Sequence, residues 1–122
     1  MSDLYPARDD QPELQRRIVK ILGTGAANPT KVLGAGVTVT RVSDGRYRFV
    51  WAENPGAWVG MEAPGWQATT PADLDGYTAV AGAYDATTRT VDVYIYDATP
   101  ALANLAALNW ALLTFVFKGT SA

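Results

Sequence analysis

The chain has 122 residues, which suits one domain with its own core. It contains no cysteine and no histidine, and this removes disulfides, thiolate metal sites and Ser–His or Cys–His nucleophilic catalysis. The formal net charge of −2 argues against a domain-wide electrostatic grip on nucleic acid.

Charged residues make up 18% of the chain, below the usual share of about 25%, so part of the surface is expected to lie against other chains. The opening "MSDLYPARDDQPELQ" is acidic and polar, without the cationic start and apolar stretch of a signal peptide. The apolar runs fall short of the ~20 residues that span a bilayer. The expectation is a product made soluble in the cytoplasm, without a membrane partner.

In chain order, residues 1–13 read as an extended N-terminal arm, and 14–122 as a β domain. Pro6, Pro12 and the cluster Arg8-Asp9-Asp10 interrupt any periodicity in the arm. "LQRRIVKILG" fits either a helical stripe or a strand. Its β-branched residues and glycine stop favour a strand ending near Leu22. "GTGAANPTKVLGAG" reads as loop, with Asn28-Pro29 as a turn signal.

"GVTVTRVSDGRYRFVW" reads as a hairpin turning at Ser43-Asp44-Gly45. Side chains two apart share a strand face. That period puts Tyr47, Phe49 and Trp51 toward the core, and Arg46, Arg48 and Val50 on the opposite face. "AENPGAW" is a turn, "AWVGMEA" a short strand, and "PGWQATTPADLDG" an irregular surface excursion.

"YTAVAGAYD" and "TRTVDVYIYD" follow as strands; the second shows Val91, Val93 and Ile95 on one face and Asp92, Tyr94 and Tyr96 on the other. "YDAT" occurs at 84–87 and 96–99 with unmatched flanks, which marks a reused turn rather than a duplicated module. Thr99 before Pro100, with Leu102, Leu105 and Leu108 spaced by three, predicts one short helix near 100–108. "WALLTFVFKG" is apolar on both faces, so it is central in a sandwich or covered by another subunit. The fold class is all-β: a β-sandwich or barrel-like, jelly-roll-like domain.

Candidate chemistry is sparse. "DLDG" at Asp73–Gly76 opens like a calcium loop, but no third acid follows at the right spacing and a polar turn suits it better. Glu53 and Glu62 flank a turn, with Trp58 and Trp66 as a possible sugar platform, but no spacing in sequence fixes the separation of the two acids that a glycosidase cleft needs. No phosphate-loop pattern occurs. Arg41, Arg46 and Arg48, with Lys20 and Lys31, form the main basic concentration. A single-strand nucleic-acid platform would need aromatics beside the charges. The two-residue period sends Tyr47 and Phe49 away from Arg46 and Arg48, so a solvated face or pairing with acids of a neighbouring chain is the better reading.

The succession "GTGAANPT…GAGVTVTRVSDGRYRFVW", a "D-x-x-T-x-T-V-x-V" strand and "L…WALLTFVFKG" resembles small virion proteins of tailed bacteriophages, some of which are head decoration (cement) proteins. The resemblance spans roughly residues 16 to 118. It implies a self-associating β domain, a homotrimer in the decoration proteins, on the outside of a capsid. The implied partners are the major capsid protein and further copies of the chain, with no nucleic acid and no cofactor. Leu4, Tyr5 and Arg8 are the expected capsid contacts. Arg46, Arg48, Trp58 and Trp66, with the outer face of the last strand, are the expected oligomer or ligand contacts. The alternative is a tail or fibre domain that binds a host carbohydrate or receptor through Trp58, Trp66 and Tyr77.

Overall fold

The computed structural model of the chain describes residues 14–119; the expected arm, with Leu4, Tyr5 and Arg8, lies outside them. Nine strands follow in order: β1 (Leu14–Leu22), β2 (Thr30–Leu33), β3 (Val37–Ser43), β4 (Arg46–Trp51), β5 (Ala57–Met61), β6 (Gly65–Ala68), β7 (Thr78–Ala81), β8 (Thr90–Tyr96) and β9 (Asn109–Lys118). They form two antiparallel sheets packed together as a β-sandwich. Sheet I runs β2-β1-β9, with β5 and β6 sharing the far edge of β9; sheet II runs β3-β4-β8-β7.

The core follows from period-two alternation. Tyr47, Phe49 and Trp51 of β4 and Val91, Val93 and Ile95 of β8 face inward from sheet II, and all are buried. Sheet I answers with Val19 and Ile21 of β1 and Ala111, Leu113, Phe115 and Phe117 of β9. Aromatic rings join the two layers. Phe49 and Trp51 each lie 5.1 Å from Phe115 between centroids, and Trp51 lies 5.2 Å from Phe117. The tilted and edge-on arrangements are those that aromatic quadrupoles favour.

β9 is the spine of sheet I. It pairs with β1 along its whole length on one side, from Leu14↔Lys118 to Leu22↔Trp110. On the other side β5 takes its C-terminal half and β6 its N-terminal half. It is central in sheet I, and its outer face carries the exposed Leu112.

The hairpin turn is held in place as well as formed. Gly45 has φ 69°, a left-handed value that favours glycine. Its carbonyl accepts the Ile95 N–H at 2.7 Å, and its N–H donates to the Asn104 side chain at 3.0 Å. A Cβ here would lie 2.7 Å from the Ala103 nitrogen and 2.8 Å from the Ile95 oxygen.

Three expectations are corrected. The segment read as loop before the hairpin contains β2, which pairs with the end of β1 through Leu22↔Thr30. A turn tied by the Thr24 hydroxyl to the Asn28 carbonyl at 2.6 Å brings it there. The excursion after Pro64 contains β6 and a 3-10 turn over Pro71–Leu74.

The helix near 100–108 is absent: the chain returns beside β8 as extended backbone, with an isolated bridge between Tyr96 and Leu102. The Asp97 carboxylate accepts the N–H groups of Thr99 and Ala101, and the Ala103 N–H donates to the Ile95 carbonyl. Leu105 is drawn into the core, where its N–H donates to the buried Tyr47 hydroxyl at 2.8 Å. Leu102 and Leu108 stay exposed, so the spacing by three is not one buried stripe.

The two "YDAT" phrases share one local device, although the backbone around them differs. In each, an Asp side chain accepts N–H groups two or more residues on: Asp85 from Thr87 and Thr88, Asp97 from Thr99 and Ala101.

Candidate functional site

On the outer face of sheet II, register sets Arg48 opposite Asp92 and Arg46 opposite Tyr94. The Asp92 carboxylate accepts from Arg46 Nε at 2.8 Å, Arg48 Nε at 2.8 Å and Arg48 Nη2 at 3.1 Å. The Arg46 guanidinium also lies 5.5 Å from the Tyr94 ring centre, a cation–π distance. The hydrogen bonds from Arg48, followed by those from Arg46, hold the Asp92 carboxyl below its usual range against the opposing effect of burial. The acid that the arginines meet therefore belongs to their own chain. An open hollow of about 420 Å³ adjoins them, lined also by Asp85, Thr88 and Thr90. Its two arginines are balanced by two carboxylates, which leaves no charge excess for a polyanion.

This cluster has a pH signature. The folded-state pKa of Asp92 is depressed, so its stabilisation is present above the unfolded value near 3.9 and fades as pH falls through the folded value. Asp92→Asn is expected to lower stability at neutral pH by about 1–2 kcal/mol, reduced from a buried charged pair because the arginines are partly exposed. The difference from the parent chain should shrink as pH falls below about 4. Urea unfolding across that range checks it, and a pH-independent difference would show that the charge is not what matters.

Trp58 and Trp66 are half-buried and turned toward the core. The Trp58 ring stacks on Tyr84 at 5.5 Å and 8°, with its edge relation to Phe117 at 5.5 Å. Trp66 meets Tyr77 edge-on at 6.1 Å. Glu62 pairs with Arg16 at 2.8 Å, whereas Glu53 lines a different hollow beside Arg17 and Trp51. Trp58 and Glu62 thus share one hollow, while Glu53 and Trp66 line others, so the two glutamates do not face each other across one cleft.

The outer face of sheet I is of another kind. Ile18 of β1 is 45% exposed, Leu112 of β9 is 38% exposed, and Leu33, beside Lys20 at the β2 edge, is 53% exposed. Trp110 stands at the start of β9 opposite Leu22, with the Lys20 ammonium 5.9 Å from its ring centre and 3.3 Å from the Gln67 side chain. Lys20, Gly65, Trp66, Gln67, Trp110 and Leu112 line a shallow groove of about 210 Å³. Arg16, Lys20 and Lys118 supply positive charge on this face, and Glu62 is its only carboxylate among the described residues.

The sequence reading included the outer face of the last strand and Trp66 among the contacts but missed Ile18, Lys20 and Leu33. Ile18 and Leu22 could have been added from the same two-residue period. The helix-or-strand ambiguity of residues 14–22 concealed it. The groove beside Trp110 needs β6 in place, which the sequence left irregular.

Comparison with protein-family models, with curated proteins and with solved structures finds no match to this chain.

Proposed function

We propose that this chain is a virion structural protein of the decoration type. It binds the outside of an assembled phage head as a homo-oligomer, with a trimer implied by the resemblance, and stabilises the shell through contact area rather than catalysis. The major capsid protein and other copies of the chain are its partners. The observation that carries the reading is the outer face of sheet I, where Ile18, Leu33, Trp110 and Leu112 leave apolar surface beside a shallow groove. Exposed apolar side chains gathered on one face mark a contact site. A protein that binds only the assembled lattice stabilises it by mass action, and linked copies add avidity.

The carbohydrate-binding alternative draws less support, because Trp58 and Trp66 spend ring surface on Tyr84, Phe117 and Tyr77. Mass spectrometry of purified virions tests the decoration role. The chain is expected in intact particles at a fixed ratio to the major capsid protein, and its absence from them would overturn the proposal.

A further inference from the structure

We infer that the occupant of the outer face of sheet I is the acidic N-terminal segment, residues 1–13, of a neighbouring copy. This rests on the homo-oligomer reading and names the contact that would build it. A symmetric face-to-face contact would set Arg16, Lys20 and Lys118 of one copy against the same cations of the other, with only Glu62 among the described residues to offset them. Like charges brought together in an interface are unfavourable. The face therefore suits an occupant that is acidic and partly apolar.

The chain carries such a segment. Residues 1–13 hold Asp3, Asp9, Asp10 and Glu13 against Arg8, a net charge of −3, so the remainder of the −2 chain is +1. Leu4 and Tyr5 provide the apolar groups to set against Ile18, Trp110 and Leu112. Reach is sufficient. Tyr5 precedes Leu14 by enough residues to extend up to roughly 30 Å, a length that can cross from one copy to an adjoining one.

The homo-oligomer reading makes a neighbour the source of the occupant; Leu14 lies at the end of β1 away from the groove, roughly 20 Å along the strand. Segment-on-face contact joins unlike surfaces. Contacts of that type close into rings when the rotation permits, which is the symmetry a trimer needs.

The test uses three full-length chains in sedimentation velocity: the unmodified chain, Leu4→Ser/Tyr5→Ser, and Leu112→Asp. Each variant alone is expected to associate at least tenfold more weakly than the unmodified chain. Mixed together they should form a one-to-one pair, because the second supplies an intact segment and the first an intact face. Leu112 points away from the core, and Lys20→Glu provides a second face variant that keeps every apolar contact. Failure of the mixture to pair overturns the inference. Unchanged association of Leu4→Ser/Tyr5→Ser overturns it too, while leaving the homo-oligomer reading intact. An unmodified chain that stays monomeric overturns both.

Discussion

Phe115→Ala is expected to destabilise the domain by about 3–5 kcal/mol, the range for emptying a phenylalanine site in a packed core. Total stabilities of such domains are about 5–15 kcal/mol, so the variant should sit near the edge of folding. The size of the effect follows from position. Phe115 is fully buried in β9 and faces Phe49, Trp51 and Trp58, at centroid distances of 5.1, 5.1 and 6.2 Å. Its ring is where sheet II meets the spine of sheet I, and three large neighbours cannot all collapse into one vacated space. Urea unfolding followed by tryptophan fluorescence measures the loss. A change below about 1 kcal/mol would mean that the aromatic cluster is not what clamps the sheets together.

Gly45→Ala should cost about 2–5 kcal/mol for a different reason. An L-residue at a left-handed φ loses about 1–2 kcal/mol, and overpacking adds about 1–3 kcal/mol. The atoms that the new methyl would strike are backbone, from Ala103 and Ile95, and cannot rotate away. Gly60→Ala is the matched control, since a Cβ there meets nothing within 4 Å. Thermal unfolding of the pair should show a large fall in Tm for Gly45→Ala and little change for Gly60→Ala. Equal falls would show that the contact between hairpin tip and return segment is not what Gly45 protects.

What the sequence made legible was the part written with period two. The inward sets of β4 and β8 each follow from alternation within one strand, and the central placement of β9 from its lack of a polar face. Two of the four-residue strands are another matter. β2 and β6 are extended because β1 and β9 offer edges to pair with, and no local signal encodes those edges. The leucines at 102, 105 and 108 satisfied a helical spacing. Their conformation was decided by Asp97 and by the Tyr47 hydroxyl, a group far away in sequence.

The arginine pair shows the same boundary at the surface. Alternation put Arg46, Arg48 and Asp92 on outward faces of their strands. Only the register of β4 against β8 shows that the aspartate lies between the two guanidiniums. The apolar outer face of sheet I was legible in one strand of three, because its groove is assembled from β1, β6 and β9.

The pairing of β1 with β9 also sets an order of assembly. Sheet II can grow from a tight hairpin, since β3 and β4 adjoin in sequence. Sheet I cannot, because its two longest strands are separated by roughly ninety residues, and closing that loop costs about 3 kcal/mol more than closing the hairpin. Long-range pairings of this kind slow folding. The aromatic rows of β4 would thus be in place as a template before β9 arrives, and the face assigned to oligomer contact would be the last surface of the molecule to exist.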